Sequence, residues 1–445
     1  MRKFGKLRPA QWLGISLIVF GIVFSTGAFA QQAQQMGSQA TEESLRVAPA
    51  DYPGTVHLLP ATLETTQWGW FNNSQPPVME IDSGDTVVVE TMMHSHNQIV
   101  PGTNIEEIKK LRTDYPGRGP HTITGPIYVK DAEPGDVLKI QILKIVPRSY
   151  ATNFNIPGLF GAFPDKFPEG QVKYFYLDID KKVARFAPGI EIPLAPFPGT
   201  IGVARAEPGQ YSTVPPGPYG GNLDIRDMVE GTTLYLPVFV KGALLWTGDS
   251  HAAQGNGEIN LTAMETAFKE EVLNVSVIKG EQQEWPYIET PSQWITVGID
   301  QDLNKALDIV QAETSKLLAQ NRTSPNEAIA FMSEVSDCRI SQIVDVNKGI
   351  HCLNPKNFEA KHYVKHPTAE TPDYYVTSDK SSDLNEAMNN ASLAMIDLLE
   401  QRQQVSRLDA YALASMTMDC RLGKIKAEEK SVHCLVPKSI WVANR

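Results

Sequence analysis

The chain reads as an α+β protein: a strand-rich body of packed sheets or barrel-like form, followed by a duplicated helix-helix-strand unit. Two observations predict this. Between residues 51 and about 285, short apolar or alternating runs recur between Gly/Pro turns, which is strand periodicity. Beyond residue 286, helical spacing takes over and one segment occurs twice. The 445 residues exceed one ordinary core. The hydrophobic fraction of 42% and charged fraction of 20% fit a folded globular chain.

The first thirty residues stand apart. Arg2, Lys3, Lys6 and Arg8 precede an apolar run from Leu13 to Phe24, and Ala28-Phe29-Ala30 supplies a small-x-small cleavage site. Residues 1–30 are therefore expected to be a signal peptide; the apolar stretch is short for a membrane span. Residues 31–50, rich in Gln, Ser and Ala, read as a flexible leader. Formal net charge is −11, and removing the four basic residues named above leaves 36 Lys and Arg against 51 Asp and Glu, or −15. With no basic stripe, nucleic acid is excluded as a partner. No other segment is apolar enough to span a membrane, so an exported protein without a membrane partner is expected, periplasmic or secreted.

In the body, 51–285, strands are expected at Thr86–Thr91, Ile127–Val129, Val137–Ile145, Val172–Asp178, Thr200–Val203, Thr233–Val240 and Val272–Val277. Two long loops, Tyr150–Gly170 and Glu207–Gly221, are dominated by Pro and Gly. Such loops are usually functional.

The C-terminal units are 286–365 and 366–445. Ser336-Asp337-Cys338-Arg339-Ile340 matches Met418-Asp419-Cys420-Arg421-Leu422, and His351-Cys352-Leu353-Asn354-Pro355-Lys356 matches His433-Cys434-Leu435-Val436-Pro437-Lys438. Each copy offers two helices and a strand pair carrying two cysteines. Export places these in an oxidising compartment. Disulfides Cys338–Cys352 and Cys420–Cys434 are expected, each stabilising by roughly 3 kcal/mol. A cysteine nucleophile is disfavoured because all four occupy matched positions. The second copy could build a homo-oligomer or cover the site.

Three segments concentrate polar residues in small or apolar surroundings: Thr91–Gln98 with His94 and His96, Gly119–Pro126 with His121, and Gly248–Glu258. In the last, Asp249 and His251 project to one side of an extended segment, and Glu258 follows in a glycine-rich turn. Asp and His ligate zinc, and a nearby Glu can act as general base. If His94 and His96 lie on a strand, they face opposite ways and only one can be a ligand. No Gly-x-Ser-x-Gly elbow is present. The Gly217–Gly221 loop lacks the Lys-Ser/Thr of a phosphate cradle.

The runs Thr124–Val129 with Ala132–Leu138, Gly220–Asp224, Gly231–Val238, and Gly242–Leu244 with Gly248–Glu258 resemble the acetamidase/formamidase family, over most of residues 51–360. The resemblance implies hydrolysis of formamide, acetamide or related amides, an α+β fold rich in strands, and a divalent metal in at least some members. Two departures stand out. The leader and second C-terminal copy are foreign to the usual cytoplasmic enzymes, and His94-Ser95-His96 stands where many relatives carry an acidic residue. The expected site has zinc on Asp249 and His251 with one or two of His94, His96 and His121. Glu258 moves the proton from water to leaving ammonia. Asn222, Asp224 and Gln254 orient the amide. The competing expectation is an exported binding or assembly protein that has lost turnover. A third is a hydrolase of a larger amide, lactam or cell-wall fragment.

Overall fold

A twelve-stranded and an eleven-stranded sheet organise the chain, with a small two-stranded pair beside them. The computed structural model describes residues 51–321, 324–356 and 366–442; the signal segment and the leader lie outside these. Residues from Tyr52 onward form one compact unit.

The eleven-stranded sheet positions the site. Its central strand, Leu245–Ala253, is buried at all nine positions. It is flanked antiparallel by Phe197–Val203 on one side, with Met264–Thr266 and Thr122–Val129 also pairing along it. A strand covered on both faces reads as a run of apolar or small residues, and this one departs from that pattern chiefly at Asp249 and His251. Leu245 and Trp246 join a core shared with Ile140, Leu234 and Leu273 of the twelve-stranded sheet. The two sheets thus pack face to face. Ala252 and Ala253 point into a second core filled from the C-terminal helices by Leu307, Met388 and Leu413.

The expected body strands are present with shifted ends: Val137–Pro147 and Phe268–Ile278 are longer, and Thr86–Val89 and Thr233–Pro237 shorter, than expected. Both long loops are corrected in part. The second holds a strand, Gln210–Ser212, paired to Trp70–Asn72, and runs into Gly220–Asn222. The first opens with a strand, Tyr150–Asn155, paired to Gln171–Asp178. Its alternation was obscured because Ala151, Asn153 and Asn155 are all buried alongside Phe154.

Within the twelve-stranded sheet, Glu271 is fully buried and its carboxylate accepts from the Thr247 hydroxyl at 2.9 Å. Burial pushes its pKa up to about 8, so the folded protein keeps a proton that the unfolded chain releases near pH 4.5. The folded state binds more protons between those values, so stability must fall as pH rises from about 4.5 to 8. Glu271→Gln should remove this slope. Urea midpoints at pH 5.5 and 8.5 check it: wild type should lose a few kcal/mol relative to the variant.

In the C-terminal region, the strand Gln293–Asp300 leads to helices Leu303–Asn321 and Pro325–Val335, then strands Asp337–Gln342 and Lys348–Pro355. The order recurs as Tyr374–Ser381, Leu384–Gln403, Arg407–Thr417, Asp419–Lys426 and Glu429–Pro437. Each segment therefore also opens with a strand. Ser324 and Ser406 cap the second helix of each by accepting from Glu327 and Asp409 backbone N–H groups. Disulfides Cys338–Cys352 and Cys420–Cys434 are both formed, one in each hairpin. The segments meet at Arg339 opposite Arg421. Asn304 donates to Asp383 and Asn385 donates to Asp302. Among the described residues, no helix is long and apolar enough to cross a membrane.

Candidate active site

Backbone that non-glycine residues rarely adopt sets the site. Asp224, Asp249 and Glu258 have φ of 50°, 49° and 47°, and Ser95 and His96 have 54° and 53°. Each left-handed residue costs of order 1 kcal/mol, so packing must hold it. The result is that Asp249 and Glu258 turn inward from the central strand and from the loop after it. The Ser95–Asn97 turn brings His94 in and sends His96 out.

Asp249 is the hub. His94 Nε2 donates to its Oδ1 at 2.7 Å, His251 Nε2 lies 3.5 Å from the same oxygen, and His121 Nε2 lies 3.7 Å from Oδ2. Glu265 approaches His251 at 3.1 Å and His94 at 3.3 Å, and Asp224 lies 3.6 Å from His251 Nδ1. Glu258, Asp224 and Asp345 bring carboxylate oxygens within 4.8 Å of one another. All eight side chains are buried.

Five carboxylates and three imidazoles in so small a volume cannot all ionise freely. Burial disfavours charge on every one. Against it, Glu265 and Asp249 hold His94 up at about 9 and raise His251. Against burial again, His251 and His94 pull Glu265 down to about 2, and the imidazoles hold Asp249 low. Glu258 and Asp224 are pushed up by burial and by neighbouring carboxylates. Asp345 is pushed up to about 7 by burial, with Asp249 and Glu265 adding to it. His121 is driven down to about 4 by burial and is neutral.

The donor set fits a divalent cation. His121 Nδ1 is 3.1 and 3.2 Å from the Thr213 hydroxyl and carbonyl oxygens. That bond to the carbonyl places the proton on Nδ1, so the Nε2 lone pair of neutral His121 faces a carboxylate oxygen of Asp249. Two acceptors facing each other need a cation between them. Both carboxylate oxygens of Asp224 also lack hydrogen-bond donors although buried, at a cost of about 1–3 kcal/mol each or more.

Above this floor lies a cavity of about 70 Å³. Phe154, Ile156, Phe160 and Leu261 form an apolar wall, and Asn222 and Thr262 supply polar edges. A liquid water occupies about 30 Å³, so the space suits a molecule of a few heavy atoms.

Of the residues singled out in the sequence, Asp249, His251, His94, His121, Asp224 and Glu258 come together here, with Asn222 on the wall beside Thr200. Two do not. His96 is half-buried and meets the Thr66 hydroxyl at 3.1 Å beside Trp68, because the left-handed turn directs it away. Gln254 lies past the end of the strand, donates to the Asp224 carbonyl and lines a separate cleft. Sequence reasoning missed Glu265 and Asp345. Each is a lone carboxylate inside an apolar run, Ala263-Met264-Glu265 and Ile343-Val344-Asp345-Val346, and that isolation was the available signal.

Gly199 shows how tightly the floor is built. A Cβ there would fall 2.4 Å from His251 Cε1 and 2.8 Å from Asp249 Oδ2. Gly199→Ala should therefore cut activity by about 100-fold or more through misplacement alone, while the circular dichroism spectrum stays native. Wild-type turnover in this variant would show that the cluster tolerates displacement.

Fold and site together define a class: an α+β protein of packed sheets with a buried carboxylate–imidazole centre suited to a divalent cation beside a small ligand. The chain belongs to the acetamidase/formamidase family, whose model matches residues 64–208 and 205–441. It is 28% identical over 253 residues to the acetamidase of Mycolicibacterium smegmatis, a match covering 41% of this chain and 62% of that protein, under two thirds of its length. Among solved structures it resembles an acetamidase from Bacillus halodurans, with 31% identity and a TM-score of 0.61, covering 67% of this chain and 97% of that one. An acetamidase from Yersinia enterocolitica matches with 26% identity and a TM-score of 0.63, covering 72% and 98%.

Proposed function

We propose that this chain is an exported, metal-dependent amidase that hydrolyses the C–N bond of small linear carboxamides, releasing ammonia and a carboxylate. The observation that carries this reading is the buried donor set around Asp249, at the floor of a cavity sized for a small amide, in a chain of this family. His94, His121, Asp249, His251 and Glu265 are the residues that would hold the metal, zinc by the preference of such donors. A bound divalent ion supplies Lewis-acid polarisation of the carbonyl and a water of lowered pKa.

The chain's own groups do the rest. The apolar wall excludes bulk water. Asn222 presents its amide to the cavity beside Thr200 and orients the substrate NH₂ and C=O. Glu258 shares proton-holding capacity with Asp224 and Asp345. A carboxylate whose pKa is raised by burial and like charge can take a proton from water and return it to the departing amine. Export is supported by the charged, apolar and small-x-small start of the chain and by the two disulfides. We read the two C-terminal segments as copies of one unit. The first lends Asp345 to the cavity, and the second braces the loop that carries Glu258.

Ammonia release from formamide, acetamide and bulkier amides by the chain from residue 31, with and without a chelator, tests the function. Chelator-sensitive release restored by zinc is expected. Absence of release from every amide, in protein containing stoichiometric metal, would overturn the amidase reading.

A further inference from the structure

Among the described residues lining the cavity, Arg112 is the one Lys or Arg, where the other ionisable groups are carboxylates and imidazoles. It sits in the last turn of helix Ile105–Thr113, which Asn104 and Glu107 start with a reciprocal cap. Ile105, Ile108 and Leu111 of this helix pack with Phe154, Ile156 and Phe160, so Arg112 arrives with the apolar wall, whereas Asp249, His251 and Glu265 arrive on strands. Its guanidinium lies 4.9 Å from the centre of the Phe160 ring, which fixes its plane. Among the described residues its side chain has no ion pair and no hydrogen bond; the Asp345 carboxylate acts on its charge, and it acts on His121. Its N–H donors thus have no acceptor in the protein and remain available to a ligand in the cavity.

Neutral formamide or acetamide offers one carbonyl and one NH₂, and the floor already meets both. A further set of donors at the wall serves neither. We propose that Arg112 recognises a carboxylate on the substrate, making short-chain amides of dicarboxylic acids, with the amide at one end and the acid at the other, the preferred substrate class. The inference rests on the amidase reading and refines it. Two parallel N–H···O bonds from a guanidinium match a carboxylate and no neutral alkyl end. The small cavity calls for a short spacer between amide and acid. Hydrolysis then adds water across the C–N bond, with hydroxide joining the carbonyl carbon and ammonia leaving with the proton, to give the free dicarboxylate.

The test compares malonamate with isovaleramide, and succinamate with 4-methylpentanamide. In each pair a carboxylate is set against a neutral branched end of the same size. Wild type should prefer the acid member by about 100-fold in kcat/KM, and Arg112→Gln should bring that ratio down to near one. Arg112→Lys should keep part of the preference. Equal use of both members by wild type, or an unchanged ratio in Arg112→Gln, would overturn the proposal. Thermal shift with the same ligands reads the site without turnover. If no amide is hydrolysed, a melting-temperature rise with malonamate in wild type but not in Arg112→Gln still supports the carboxylate site, and no difference overturns it.

Discussion

Asp249→Asn should lower kcat/KM by at least about a thousandfold, the largest loss expected from any isosteric change in this molecule. The substitution keeps volume and shape and removes one charge. That charge stands 2.7, 3.5 and 3.7 Å from His94, His251 and His121. It is what keeps two of those imidazoles oriented towards a common point. An asparagine would either turn its NH₂ at the Nε2 of His121 or surrender the bond from His94, and in both cases the donor set opens. Metal content should fall along with activity, which elemental analysis of the purified variant reads directly. The fold should persist but weaken: the imidazoles hold Asp249 ionised, so removing its charge leaves His94 and His251 short of a buried partner, and the melting temperature should fall. A variant with full metal and near-wild-type turnover would remove Asp249 from the centre.

The strands of the body were legible because their apolar runs report burial, as at Val137–Pro147 and Phe268–Ile278. The disulfides were legible because the same Cys spacing occurs twice. Asp249, His251, His94 and His121 were legible because polar residues interrupt otherwise apolar segments. What defeated the reading was backbone direction. Ser95, His96 and Asn97 all have positive φ, and no propensity rule places three consecutive non-glycine residues there. The pairing of His94 and His96 as alternatives on a strand therefore gave way to a turn that separates them. Glu265 and Asp345 were hidden for a different reason. Each is alone in its own segment, and only tertiary pairing brings them in: Glu265 sits opposite His251 in the ladder, and Asp345 rides the tip of the Cys338–Cys352 hairpin. Local rules cannot see a site assembled across such separations.

Deleting the chain beyond residue 358 should leave insoluble protein, not a smaller active enzyme. The second C-terminal segment is built into the underside of the site. Gly255 N–H donates to the Ser415 carbonyl, the Ser415 hydroxyl donates to the Thr262 carbonyl, and Tyr411 OH donates to the Ile259 carbonyl. Asn256 donates to Asp419 at 2.7 Å. Every one of these partners holds the stretch that contains Glu258, and Met388, Met395, Leu413 and Met418 fill the core beneath. Removing them would expose that core and strand several buried polar groups, a loss exceeding the 5–15 kcal/mol that stabilises a typical domain. A single residue tests the same contact without deletion. A Cβ on Gly255 would lie 2.7 Å from the Met418 carbonyl oxygen and 2.8 Å from that of Ala414, both rigid backbone at the end of helix Arg407–Thr417. Gly255→Ala must push the helix and the loop apart, costing about 2–3 kcal/mol and lowering turnover with it, since Glu258 is three residues away. Urea midpoints and ammonia release measured on one preparation decide the matter. If both fall together, the second segment works by bracing the catalytic loop. If stability falls and turnover does not, its role is confined to the core.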